Sequence, residues 1–251
     1  MRKEEHEILF NVEDDYWWYV GLRGLVLSFI DGIYEKKERL KILDAGCGTG
    51  KMLESCGNHK AYGLDFSKEA LQYCKLRKLN HLLRGSISAL PFKNDYFNLV
   101  ISLDVIGQGN KLENDVITLK EIYRVIAKEG ILLLNLPAYK LLRSKHDEAV
   151  SINIRYTIKE LKSKLQKAGF EIEQITYRNT ILFPIAVIKR IIDKISLIRR
   201  NKIESDLKPL PYLINQLFKR ILFFENKLIR SGINFPFGLS IYCIARKKGN
   251  T

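Results

Sequence analysis

The stretch Lys41–Gly50, KILDAGCGTG, runs from an apolar segment through an aspartate into three glycines at alternate positions, Gly46, Gly48 and Gly50. A short apolar run closed by glycines reads as a buried strand entering a tight turn. Bare backbone at that point lets a ligand approach main-chain atoms closely. The turn is not a dinucleotide fingerprint, GxGxxG, because the third glycine arrives one residue early and Lys51 stands where it should be. Nor is it a P-loop, since no Gly-Lys-Ser/Thr follows at the right spacing.

Two acids frame the turn. Asp44 precedes Gly46 by two residues, and Asp65 ends the next apolar segment, 21 residues after Asp44. An acid about 20 residues on is placed to hold ribose hydroxyls. Asp44 would sit badly beside a diphosphate and well beside a cation. S-adenosylmethionine meets both demands, having a ribose, an ammonium, a sulfonium and no phosphate. The competing reading is a turn that serves packing alone.

Working outward, LKILDAG, HKAYGLDF, NHLLRG, DYFNLVISLD, ILLLNLP, EIEQITY and LSIYCIARK read as seven strands. Residues 50–57 look helical, and Ser67 can cap a helix running to about Lys78. LENDVITLKEIYRVIAKEG fits a helix closed by Gly130, and Thr157 with Glu160 makes a capping box for a helix ending near Gly169. The order predicts an α/β fold: a Rossmann-like, seven-stranded, mostly parallel sheet with helices on both faces. Such sheets bind ligands at the strands' carboxyl ends, where strand order reverses.

Two stretches break the alternation. Residues 1–36 form an expected N-terminal helical cap that contains Trp17-Trp18, placed either in ordinary packing or in a lid. Residues 37–180 are the expected core, 181–236 a basic amphipathic helical insertion, and 237–251 the last strand and tail. In the insertion, Val187, Ile191, Ile195 and Ile198 recur at helical spacing, with Lys189, Arg190, Lys194 and Arg200 elsewhere on the cylinder. A second helix starting near Pro211 carries Ile214, Leu217, Ile221, Phe224 and Leu228. The plainer expectation packs these apolar stripes on the core or on a second copy, giving a homodimer. The other lays them on an anionic membrane surface.

The net charge is +14, and residues 181–251 hold 14 Lys and Arg against 4 Asp and Glu. That imbalance suits an anionic partner or a solvated surface. With 46% hydrophobic and 28% charged residues the chain is not of disordered composition. No run approaches the ~18 apolar residues of a membrane span. The charged start MRKEEHEILF does not read as a signal peptide. The four cysteines show no paired spacing, so reduced thiols and a cytoplasmic location, or one peripheral to the inner membrane face, are expected.

The motifs then resemble class I methyltransferases that use S-adenosylmethionine, and among them the type 11 group. The resemblance rests on the glycine loop with AYGLDFSKEAL, RGSISALPFKNDYFNLVISLDVIGQ and EIYRVIAKEGILLLNLP. DDYWWYVGLRG, HDEAVSINIRYT and PFGLS extend it over nearly the whole chain. It implies that Gly46, Cys47, Gly48 and Gly50 face the methionine end of the cofactor. Asp44 would orient the loop or the ammonium, and Asp65, with Phe66 beside it, would hold the ribose. Ser86 and Ile87 would meet the adenine, and Leu103–Asp104 would close over the methionyl part. Many relatives carry an aspartate where Ser86 stands, and DVLEH where this chain has DVIGQ, so Gly107 and Gln108 replace a Glu-His pair.

The acceptor is less legible. A hydroxyl nucleophile needs a base, and His146, with Asp147 to orient it, is the candidate. Arg155 and Tyr156 are candidates to hold an acceptor group. The bland alternative is that this HDE segment pairs with Arg155. The Asp/Asn-Pro-Pro-Tyr/Phe motif of amino methylation is missing after the fourth strand, where LDVIGQGN stands. The expected reaction is O-methylation of a small-molecule, glycan or lipid-linked acceptor. A nucleic acid is the disfavoured partner, because the basic residues interleave with aliphatic ones rather than stacking aromatics. A cofactor-binding protein without catalysis is the third reading, and no metal is implied.

Overall fold

The computed structural model describes residues 3–33, 39–107, 114–143, 147, 152–196 and 210–249. Its strands are β1 (Lys41–Ala45), β2 (Lys60–Asp65), β3 (Leu82–Arg84), β4 (Phe97–Leu103), β5 (Ile126–Pro137), β6 (Glu171–Arg178) and β7 (Ser240–Arg246). They form one sheet in the order β3-β2-β1-β4-β5-β7-β6. β1 to β5 pair in parallel, while β7 runs antiparallel to both neighbours. Strand order reverses between β1 and β4, so the glycine turn after β1 opens at the switch point. The expected fold is the one observed.

The helices are α1 (Lys3–Val12), α2 (Trp17–Ile33), α3 (Lys51–Ser55), α4 (Lys68–Leu76), α5 (Asn114–Val125), α6 (Ile158–Ala168), α7 (Phe183–Ser196) and α8 (Tyr212–Arg230). Local chemistry fixes several ends. Ser67 Oγ accepts from Ala70 N at 3.1 Å and starts α4. Thr157 Oγ1 accepts from Glu160 N while Glu160 Oε2 accepts from Thr157 N at 2.8 Å, the reciprocal box that starts α6. Gly169, at φ 99°, ends it.

One boundary departs from the sequence expectation. α5 stops at Val125, not at Gly130, and Ile126–Glu129 already belong to β5. The last helical carbonyls find donors outside the helix. Asp95 N and Tyr96 N donate to Arg124 O and Val125 O, and Lys247 Nζ donates to Tyr123 O and Ile126 O. Pairing with β4 therefore outcompetes continued helix.

Both sheet faces are covered. Leu119, Ile122, Leu161 and Leu165 of α5 and α6 meet Val100, Leu132 and Leu134 on one face. Leu22, Leu25, Val26 and Ile30 of α2, with Ile229 of α8, meet Ile42, Leu99, Ile131 and Tyr242 on the other. α8 lies against α2 at close range because α2 presents glycines. A Cβ on Gly21 would come within 2.5 Å of Leu222, and one on Gly24 within 2.8 Å of Phe223.

α8 is turned opposite to the plain expectation. Its inward face carries Asn215, Lys219, Glu225 and Asn226 together with Leu222 and Ile229. Each of these polar side chains makes at least one hydrogen bond or ion pair. Asn215 Oδ1 accepts from Trp17 N and its Nδ2 donates to Asp15 O, both at 2.9 Å. Lys219 pairs with Asp15, and Asn226 Nδ2 donates to Gly21 O at 2.8 Å. Glu225 accepts from the backbone N–H groups of Asn179, Thr180 and Ile181 at 2.5, 2.9 and 3.0 Å. Leu213, Ile214, Leu217 and Phe224 face outward instead. The apolar stripe read from the sequence is thus not packed on the core. The segment 197–209, Gln108 and His146 lie outside the described residues.

Candidate active site

The glycine turn is built by exclusion. Gly46 N and Cys47 N both donate to Leu64 O, tying the turn to β2. Gly46 has φ 92°, and a Cβ there would lie 2.3 Å from Val105 Cγ2, so only glycine fits. Gly50 has φ 88° and starts α3, and its Cβ would strike Leu79 and Cys74. At Gly48 the nearest atom to such a Cβ is Leu9 at 4.0 Å, so this residue faces open space. Gly48 N donates to Asp65 Oδ2 at 2.9 Å, and Ser67 N donates to Asp65 Oδ1 at 2.8 Å. The acid at the end of β2 is held by two main-chain donors beside the bare turn.

The cleft over this turn is acidic in an otherwise basic protein. Asp44 is buried, and its carboxyl is pushed up to about 7 by burial, with Asp65 and Glu13 adding to the rise. Glu13 is also raised by burial, against the pull of Thr49 and Arg77. Such a site gains by taking in a cation. A diphosphate would meet like charge.

Phe66 is 74% exposed at the cleft rim, with the Arg84 guanidinium 5.9 Å from its ring. Ser86 Oγ lies 2.8 Å from Ser88 Oγ, and Ile87 lines the same wall. Leu103 and Asp104 close the opposite side. Asp104 takes φ 59°, and its Oδ1 accepts from Asn135 Nδ2 at 2.9 Å. Burial pushes Asp104 up to about 6, with Asn135, Arg178 and Arg155 holding it back. Cys47 lines the cleft too, but its sulfur lies 4.0 Å from Cys74, and that neighbour and burial raise the thiol. Ten of the eleven expected cofactor residues border one space, and Gly50 instead packs behind the turn against Leu79 and Cys74.

The expected acceptor-side residues divide differently. Asp147 is fully buried, and Arg155 donates to both its oxygens at 2.8 and 2.7 Å. Arg155 also donates to Ala138 O at 2.9 Å. The pair borders the chamber and joins Asp147 to the end of β5, the arrangement that the bland alternative expects. Tyr156 stands behind the chamber wall. It is buried, its hydroxyl donates to Asp115 Oδ2 at 2.8 Å, and burial and Asp115 raise its phenol. It supports Asp115, which does line the chamber. Tyr156 also explains the DVIGQ departure. Gly107 has φ 88°, and a Cβ there would come within 2.4 Å of the Tyr156 hydroxyl oxygen.

Several site residues escaped the sequence reading. Glu13 Oε1 accepts from Thr49 Oγ1 at 2.5 Å and from Arg77 Nη2 at 2.9 Å, clamping the N-terminal segment onto the glycine loop. Trp17, Trp18 and Tyr19 form part of the chamber wall, with Trp17 edge-on to Phe218 at 5.2 Å. The Trp17-Trp18 signal was visible in the sequence, and its partner in α8 was not. The whole cavity measures about 1000 Å³ and runs from the glycine turn to Leu182, Ile185 and Ala186 of the insertion. That is the upper end of the ~300–1,000 Å³ of ordinary ligand sites, so a nucleoside cofactor fills only part of it.

A mostly parallel sheet of reversed strand order, a turn whose Gly46 and Gly50 leave no room for a Cβ, and buried Asp44 near Asp65 fit a class I S-adenosylmethionine-dependent methyltransferase. The comparisons agree, and the chain belongs to the methyltransferase-domain family, whose model matches residues 36–186. An uncharacterised protein of Methanocaldococcus jannaschii is 28% identical over 74% of this chain and 76% of its own length. A probable tRNA methyltransferase 9B of Bos taurus is 24% identical, over 55% of this chain and 30% of its own length. A malonyl-[acyl-carrier protein] O-methyltransferase of Erwinia billingiae is 32% identical over 48% of each. The chain thus spans under a third of the bovine relative and about half of the bacterial one. Among solved structures, a Haloferax volcanii methyltransferase in complex with the Trm112 activator shares the fold. Its TM-score is 0.60 at 15% identity, over 99% of this chain and 95% of that one.

Proposed function

We propose that this methyltransferase acts on an oxygen of a small acceptor that carries an apolar chain, a lipid-linked acceptor in particular. The observation that supports this is the chamber beyond the cofactor cleft. Its lining includes the apolar side chains Trp17, Trp18, Leu182, Ile185, Ala186 and Phe218, with Arg190 of α7 also facing it. Asp104 and Asp115 line it as well, and Arg155 and Ser240 add further polar groups. That mixed lining suits a molecule with one polar, reacting end and one apolar end.

The bound cofactor supplies an already activated methyl group on a sulfonium. The protein's share is alignment, exclusion of water and removal of the acceptor's proton. The glycine turn with Asp44 and Asp65 fixes the cofactor. Trp17, Trp18 and Tyr19 are part of the chamber wall and would help to exclude water from it. Asp104, poised near neutrality, is a proton acceptor on the chamber wall. His146 remains a second candidate base, placed by its sequence position alone. Arg155 and Asp147 position the loop that would carry it.

The bovine relative's name and the +14 charge favour RNA as a rival acceptor. The aliphatic rows of Leu182, Ile185 and Ala186 on the chamber wall favour an apolar chain over a nucleic acid strand, which is taken by rows of stacking aromatics. Labelling a cell extract with methyl-tritiated S-adenosylmethionine separates the readings. The expected label partitions into the organic phase as a lipid ether or ester, and label confined to RNA overturns the proposal. Calorimetry tests the cradle: Asp65→Ala is expected to weaken cofactor binding by about 1–3 kcal/mol. An unchanged dissociation constant would break the ribose assignment.

A further inference from the structure

We infer that α7 and α8 form a docking face for an anionic lipid bilayer, with the acceptor chamber opening toward it. The inference deepens the proposed acceptor reading, but its evidence is separate. It begins with the orientation of α8. The helix satisfies its inward polar groups on residues 15–21 and 179–181, so its apolar stripe is left at the surface. Leu217 and Phe224 are 54% and 58% exposed, in line with Leu213 and Ile214. These residues recur at helical spacing along several turns, which makes a stripe rather than scattered exposure.

Charge selects the occupant. At about 100° per residue, Arg220 and Lys227 lie along the edge of that stripe. Arg220, Lys227 and Arg230 are exposed, and the single acid of α8, Glu225, is fully buried. An apolar stripe edged by cations alone is the pattern of a helix lying in the headgroup plane of anionic lipid. A second copy of the same face would bring like charges together.

α7 carries a second exposed apolar row, which reaches the chamber. Ile185, Ile188 and Ile192 recur at helical spacing and are each more than half exposed. Ile185 also lines the chamber. One side chain therefore belongs to the outer stripe and to the inner wall, so an apolar chain leaving the bilayer has a continuous apolar path inward. Among the described residues no helix is long and apolar enough to cross a membrane, so the contact is one of surface docking.

The test is flotation of the full chain with vesicles of phosphatidylcholine, with and without phosphatidylglycerol, at low and high salt. Binding is expected only with phosphatidylglycerol and is weakened by salt. Arg220→Gln and Lys227→Gln should each lower the partition coefficient by roughly fivefold. The pair Leu217→Ser and Phe224→Ser should lower it at least as much, and calorimetric binding of S-adenosylmethionine should be unchanged in every variant. Failure of the wild-type chain to float at low salt, while it still binds the cofactor, overturns the inference. Flotation that survives both sets of substitutions overturns it too, as does a stable dimer that Leu217→Ser dissociates in the absence of flotation. A chain that floats yet labels no lipid supports the docking face and removes the lipid-linked acceptor.

Discussion

α6 and α8 both carry an apolar stripe along a polar cylinder, and they turn opposite sides to the protein. α6 buries Leu161, Leu165 and Ala168 and leaves Lys159, Lys162 and Lys167 exposed, while Lys164 pairs with Asp115. α8 buries Asn215, Lys219, Glu225 and Asn226 among Leu222 and Ile229, and leaves Leu217 and Phe224 outside. The difference comes from what each helix meets. α6 meets the apolar side of α5 and the sheet. α8 meets backbone carbonyls and N–H groups of residues 15–21 and 179–181, and a glycine-lined groove on α2. Polar side chains are the better complement to such a surface, since a buried backbone group without a partner is costly.

The sharpest way to break this contrast is Glu225→Ala. It strips the acceptor from three backbone donors and leaves buried Arg178 with Asp104 as its remaining acidic neighbour. The expected loss is about 3–5 kcal/mol in urea denaturation. A loss under 1 kcal/mol would mean that the inward polar face of α8 is incidental. In α6 the corresponding test is Leu165→Ala, at a fully buried site. It should cost about 2–5 kcal/mol.

A second buried acid sets the opposite condition to Glu225. Asp44 is buried beside other acids, and its carboxyl sits at about 7 in the free protein. The unfolded value is about 3.9. The folded state therefore holds more protons between those limits, and the free protein loses stability as pH rises from about 4 to 7. A cationic cofactor favours the ionised form, so its affinity should rise with pH, by up to about tenfold per unit below pH 7. Asp44→Asn should flatten that slope in calorimetric titrations. A slope that persists in the variant places the titrating group elsewhere.

Smaller effects complete the comparison of the helices. Thr157→Ala removes the cap of α6 and should cost about 1 kcal/mol. Leu217→Ala, on the outward stripe of α8, should stay within about 0.5 kcal/mol in thermal denaturation. A larger loss would show that the stripe is packed in solution.

What the sequence disclosed follows the range of the interactions. The seven strands, the Ser67 cap and the Thr157–Glu160 box depend on neighbours a few residues apart and were readable. So was the cofactor cradle, because glycine spacing and the Asp44–Asp65 interval are themselves local marks. The end of α5 was misread because its carbonyls are satisfied by Asp95, Tyr96 and Lys247, distant in the chain. The facing of α8 was unreadable from periodicity, which locates a stripe but not the side that is buried. Gly21 and Gly24 in α2, and Glu225 within an apolar helix, are the marks that could have signalled it. Tyr156 looked like an acceptor contact because its packing against Gly107 joins segments nearly 50 residues apart.

The grip of Glu13 on Thr49 and Arg77 makes the leading helices part of the floor beneath the nucleoside. Fraying of that segment and emptying of the cradle are then two views of one equilibrium. Whatever stiffens either end lends the same free energy to the other. Deuterium uptake over residues 9–16 should accordingly slow when the sulfonium compound is added, at amides that never touch it. A bulky fusion joined to the leading helix would be felt as a weaker hold on the cofactor.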